Sequence, residues 1–80
     1  MLKEKIVTKT RGLHTEDCAV IAQIAGRFQS DVFLIKDNKR VNAKSIMGLI
    51  SLNVKKGDTV YLSVSGNDEK AAYDKLFPLL

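Results

Sequence analysis

The chain has a single cysteine, Cys18, among 80 residues. An internal disulfide is therefore excluded, and this usage fits a reducing cytoplasm, the expected location. No run approaches the ~18 consecutive apolar residues that cross a membrane. The N-terminal MLKEKIVTK lacks the apolar stretch that directs secretion, so membrane insertion is not expected. Tryptophan is absent and aromatics make up only 6% of the residues, few of them among the scattered lysines and arginines. The net charge of +4 favours phosphorylated or acidic partners. It does not form the basic, aromatic-studded surface of a nucleic-acid binder, and no direct nucleic-acid contact is expected. Also missing are a glycine-rich phosphate loop and any metal-ligand cluster, so neither metal nor cofactor is expected. Repeats, low-complexity stretches and linkers are absent as well, which leaves residues 1–80 as one domain.

What is present is a soluble globular composition, 45% hydrophobic and 28% charged, in a chain short enough to leave little room for a catalytic cleft. Residues 2–8, LKEKIVT, read weakly as a strand because the alternation is imperfect. Residues 15–27 read as a helix. At 100° per residue Cys18, Val20, Ile21, Ala22, Ile24, Ala25 and Phe28 share one broad face, opposite Glu16, Ala19, Gln23 and Arg27. Gly26 is a plausible stop signal. Residues 32–36 and 40–42 flank KDNK, a turn sequence that predicts a hairpin. Residues 59–65, TVYLSVS, alternate cleanly, with Val60, Leu62 and Val64 pointing one way. Between these lies KSIMGLISL, a short helix with Ser45 well placed as N-cap. The terminal NDEKAAYDKLFPLL puts Ala72, Tyr73, Leu76 and Phe77 along one side of a last helix, and Pro78 ends that helix or its last turn. The order is βαββαβα, a two-layer α+β domain with helices on one face of a largely antiparallel sheet.

Two stretches together carry a resemblance. "GLH" opening a helix, followed some thirty residues later by "KSIMGLISL", resembles the HPr family, the histidine-containing phosphocarrier proteins of the bacterial sugar phosphotransferase system. The linking SDVFLIKDNKRVNAKSIMGLISL is most similar to Gram-positive HPr and the related catabolite-repression HPr-like proteins. The resemblance covers the whole chain. It implies an open-faced β-sandwich with sheet order 1-4-2-3 and three helices on one side, an order that periodicity alone does not provide.

His14 stands directly before a helix, where free backbone N–H groups and the positive end of the dipole can stabilise a phosphoryl group. The plain alternative is an exposed or capping polar residue. The resemblance makes it the phosphoacceptor that takes phosphate from enzyme I and passes it to a sugar-specific transporter subunit. The family pattern continues His-Ala-Arg-Pro, whereas this chain reads His14-Thr15-Glu16-Asp17. Glu16 replaces the arginine that would pair with the phosphate, and Asp17 replaces the proline of the first turn. A carboxylate ~5 Å from a phosphate dianion repels it by roughly 1–6 kcal/mol, depending on the local dielectric.

Ser45 is better preserved. As an N-cap it also sits where a phosphate meets the helix N–H groups. The crowded Ile46, Met47, Leu49, Ile50 and Leu52 cannot all be buried by one face. Ile46, Met47 and Ile50 are expected to be exposed as a docking patch, and Leu49 and Leu52 to enter the core. Lys39, Arg40 and Lys44 read as a solvated face. The resemblance implies that an ATP-dependent HPr kinase phosphorylates Ser45, and that the product binds a transcriptional regulator of catabolite repression. Thr15 and Glu16 complete the expected partner surface, with Glu16 altering it. Cys18 reads as a buried small hydrophobe. No second general acid or base accompanies His14, so the expected protein is not an enzyme but a phosphoacceptor acting in carbon catabolite regulation through Ser45, or alternatively a phosphocarrier through His14.

Overall fold

Along β4 (Thr59–Ser65) the alternation becomes burial: Val60, Leu62 and Val64 are closed off, while Thr59, Tyr61 and Ser65 stay exposed. The structure, a computed structural model of residues 1–80, places this strand inside a four-stranded sheet of order β1-β4-β2-β3. It pairs antiparallel with β1 (Leu2–Ile6) and β2 (Asp31–Lys36), and β2 pairs antiparallel with β3 (Lys39–Asn42). Leu34 lies opposite both Leu62 and Val41 in these registers, so one face of the sheet is a continuous apolar surface. The helices α1 (Thr15–Ala25), α2 (Ile46–Ser51) and α3 (Glu69–Leu76) cover it, and the other face is open. Leu34, Leu49, Leu76 and Cys18 are all within 1% of complete burial. Each such leucine contributes roughly 1.5–3 kcal/mol in area removed from water. The expected α+β sandwich and its 1-4-2-3 order are both present, and no helix is long and apolar enough to cross a membrane.

The first strand and the first helix depart from the plain sequence pattern. Strand β1 ends at Ile6, because Val7 turns inward and its N–H bonds to the Asp58 carbonyl at 2.9 Å. Its alternation is also inverted. Lys3 and Lys5 lie opposite Leu62 and Val60, on the helix-covered side, whereas Leu2 and Ile6 face the open side. Lys5 settles its ammonium 4.6 Å over the Phe77 ring, and inward charge on an edge strand discourages further strand addition.

In α1 the buried stripe is Cys18, Ile21, Ala22 and Ala25, a strict i, i+3, i+4, i+7 set. Val20, placed by the sequence reading on the apolar face, is 46% exposed. It lies 200° around the helix from Cys18, and a helix resting on one sheet buries a narrower stripe than the sequence offers. The helix ends at Ala25, two residues early, in a tight final turn closed by Arg27 N–H to the Ile24 carbonyl at 3.0 Å.

The hairpin turns on Asp37, with φ of 55°. The terminal helix stops at Leu76 and Pro78 lies in a following 3-10 turn, Phe77–Leu79. Asp68, just ahead of α3, reaches across to accept the N–H groups of Gln29 and Ser30, both at 2.9 Å, and the Ser30 hydroxyl. Those bonds, the hydroxyl first, hold its carboxyl below the usual carboxylate range.

Candidate functional site

The approach to α1 is shaped by Gly12. Its φ is +68°, and a Cβ there would collide with the Val54 carbonyl and lie 2.8 Å from the Lys55 Cα. Only glycine permits that contact. Leu13 then donates its N–H to the Val54 carbonyl at 3.1 Å, stitching the segment before α1 to the segment after α2.

His14 follows as the N-cap, in extended conformation (φ −85°, ψ 173°), with its imidazole exposed. The cap is a reciprocal one. Asp17 Oδ2 accepts the His14 N–H at 2.9 Å, and the imidazole faces the Asp17 N–H without forming a full hydrogen bond. Lys9 Nζ pairs with the other Asp17 oxygen at 3.2 Å. The His14 N–H and Lys9 together hold the Asp17 carboxyl below its ordinary range, against a smaller opposing effect of burial. The two acidic residues are therefore not equivalent. Asp17 is compensated, whereas Glu16 is exposed and makes neither a hydrogen bond nor an ion pair. Thr15 is exposed beside it.

At α2 the N-cap is Ser45, also extended (φ −105°, ψ 115°), whose Oγ accepts the Gly48 N–H at 3.1 Å. Ile46, Met47 and Ile50 are 42%, 74% and 37% exposed, while Leu49 and Leu52 are buried, as the crowding argument expects. Val20, on the helix that packs against α2, is a further exposed apolar residue. The sequence reading missed it because hydropathy alone does not say where a buried stripe stops.

The basic residues near Ser45 are not a purely solvated face. Lys44 donates to the Phe28 carbonyl at 2.9 Å, and Arg40 lies 3.7 Å over the Phe33 ring. Lys39 reaches only the Ser51 carbonyl, at 3.5 Å. Cys18 is fully buried, and burial pushes its thiol above the ordinary value, as for an inert packing group. No group of three or more His, Cys, Asp or Glu side chains could hold a metal ion.

An open-faced 1-4-2-3 sheet with a histidine at the head of its first helix is the arrangement that the resemblance to small phosphoacceptor proteins implies. The family described as "PTS HPr component phosphorylation site" matches residues 2–80, and the chain belongs to the HPr family. It is similar to the HPr-like protein Crh of Bacillus subtilis, 49% identical over 77 residues that cover 95% of this chain and 91% of that protein. It is also similar to the phosphocarrier protein HPr of Treponema pallidum, 42% identical over 90% of this chain and 82% of that protein. The crystal structure of an HPr from Bacillus anthracis superposes with a TM-score of 0.94 at 36% identity, covering 100% of this chain and 95% of that one. The role of this chain is accordingly that of an HPr-like protein of the phosphotransferase system, a family of phosphocarriers rather than catalytic enzymes.

Proposed function

We propose that this protein acts in the cytoplasm as a regulator in carbon catabolite control, switched by phosphorylation of Ser45. One observation carries the reading: an exposed Ser45 hydroxyl heads a helix whose Ile46, Met47 and Ile50 are left exposed beside it. A phosphate on Oγ adds almost two negative charges next to an apolar patch and meets the N–H groups it would have to share. The fitting partners are an ATP-dependent HPr kinase and a catabolite-control transcriptional regulator that reads phosphate and patch together. Glu16 and Thr15 border the same partner surface, and Glu16 alters its charge.

A second reading has its own support. The His14 imidazole is exposed and its N-cap backbone is already satisfied by Asp17, so it can react without undoing the helix. On this reading His14 accepts phosphate from enzyme I and passes it to sugar-specific transporter subunits.

The two are separated by labelling. Incubation with HPr kinase and ATP is expected to give acid-stable phosphate that Ser45→Ala abolishes. Incubation with enzyme I and phosphoenolpyruvate tests for acid-labile phosphate that His14→Ala abolishes. No label from the kinase, or label that survives Ser45→Ala, overturns the regulatory reading.

A further inference from the structure

The surface around His14 is divided. Towards the helix it is bordered by Lys9, Thr15, Glu16 and Asp17. Lys9 is engaged by Asp17, so this side presents to an anion the uncompensated carboxylate of Glu16, with Arg11 at its edge as the one cation without an ion pair. Away from the helix the cleft is bordered by Arg11, Lys55 and Lys56, together with Asn53 and Val54, and no acidic residue lines it. None of these three cations forms an ion pair. Arg11 and His14 border both sides.

The cationic side is also held in place. Gly12 lies on the Val54–Lys55 backbone and Leu13 bonds to the Val54 carbonyl. Lys55 donates its N–H to Asp58 Oδ2 at 2.8 Å, and that carboxylate is neutralised by Lys36 at 3.0 Å. Gly57, at φ +89°, returns its N–H to the Val7 carbonyl at 2.9 Å. Both ends of the 53–57 segment are thus fastened, and its two lysines border the same cleft as the histidine without an ion pair of their own, the nearby Asp58 being paired with Lys36.

We infer that the Arg11–Lys55–Lys56 cleft is the phosphoryl-binding subsite of this protein, supplying from two loops the positive charge that helix position 16 withholds. As an account of how a phosphoryl group is held on His14, it rests on the phosphocarrier reading. Three cations that border one cleft with His14 offer a dianion charge-assisted contacts, which offset part of the repulsion from Glu16 on the other side. The groups are positioning residues: the imidazole reacts and the cations hold the product. With phosphoramidate as chemical donor, a ring nitrogen forms the new N–P bond while the donor's P–N bond breaks. The leaving nitrogen keeps that electron pair and departs as ammonium, taking up the proton that the imidazole loses.

Titration of the intact protein with inorganic phosphate, followed by amide NMR, tests the subsite without any donor. Saturable shifts are expected at residues 11–14 and 53–57. The triple variant Arg11→Gln/Lys55→Gln/Lys56→Gln is expected to bind phosphate at least about tenfold more weakly while melting like the parent. The same variant is expected to lose its His14 phosphate faster after treatment with phosphoramidate. Shifts centred on residues 15–18, no saturable binding, or unchanged affinity in the triple variant would overturn the inference. Failure of the carrier reading looks different: enzyme I leaves His14 unlabelled while phosphate still binds in the cleft. Labelled His14 with phosphate indifferent to the three cations sinks the subsite and spares the carrier.

Discussion

The N-termini of α1 and α2 solve one problem in opposite ways. Each helix begins with free N–H groups that need an acceptor. At α2 the N-cap residue supplies it, through Ser45 Oγ to the Gly48 N–H. At α1 the well-formed cap bond comes from Asp17, three residues into the helix, which holds the His14 N–H and is itself held by Lys9. On the two proposed readings, the atom that would carry phosphate and the atom that caps the helix are therefore the same at Ser45 and different at His14. Modifying Ser45 must rearrange a cap, which suits a switch. Modifying the His14 ring leaves the Asp17 bond standing, which suits a group that is loaded and unloaded repeatedly.

The two glycines near these caps break the comparison most sharply. Gly12→Ala puts a Cβ into the Val54 carbonyl at a positive φ, and is expected to cost at least about 2 kcal/mol. Gly48 lies within α2, and a Cβ there would come no closer than 3.3 Å, to the Val41 Cβ. Gly48→Ala also gains helix propensity and is expected to change stability by less than about 1 kcal/mol. Urea unfolding of the two variants measures the difference. Equal midpoints would show that the α1 approach is not built on Gly12.

Why the sequence showed α2 more fully than α1 follows from where the deciding contacts lie. Ser45, Gly48 and the Ile46, Met47, Ile50 set act within six residues, so N-cap chemistry and crowding locate them. The clean alternation of β4 likewise located the centre of the sheet. At α1 the decisive partners are Lys9, eight residues from Asp17, and the Val54–Lys55 backbone some forty residues from Gly12. No local pattern announces either. The compensation of Asp17 was invisible for that reason, and so was the basic cleft. Lys3 and Lys5 in β1 were ambiguous for another reason: an edge strand can turn its lysines inward because their ammonium ends still reach water or a ring face. The strand order itself came from the family resemblance, since alternation does not say which strands are neighbours.

On the carrier reading, the electrostatic penalty at His14 falls on Glu16, because Asp17 is compensated by Lys9. Glu16→Arg alone, with Asp17 left in place, is expected to raise phosphohistidine formation about tenfold, the low end of the electrostatic range for an exposed pair. Adding Asp17→Pro gives no further rise, because it removes the acceptor of the His14 N–H. Enzyme I and phosphoenolpyruvate labelling of the single and double variants reads both effects. A gain that appears only in the double variant would mean that Asp17, despite Lys9, still repels the phosphate.

The finest difference between the two caps lies in their pH dependence. Asp17→Ala and Ser45→Ala each remove one cap acceptor, and each is expected to cost about 1 kcal/mol at neutral pH. The Asp17 carboxyl titrates below its ordinary value of 3.8 in the folded protein, so the folded state favours its ionised form. Its contribution is complete above pH 3.8 and is lost as the pH falls through the lowered folded value. Ser45 has no proton to exchange in this range, and its contribution stays constant. Denaturation of both variants between pH 6 and pH 2 is therefore expected to show the Asp17→Ala penalty shrinking in acid while that of Ser45→Ala holds. An Asp17→Ala penalty that persists undiminished at the acid end would mean that the first helix is not held by a carboxylate. The contrast between a charged, borrowed cap at α1 and a neutral, native one at α2 would then fail.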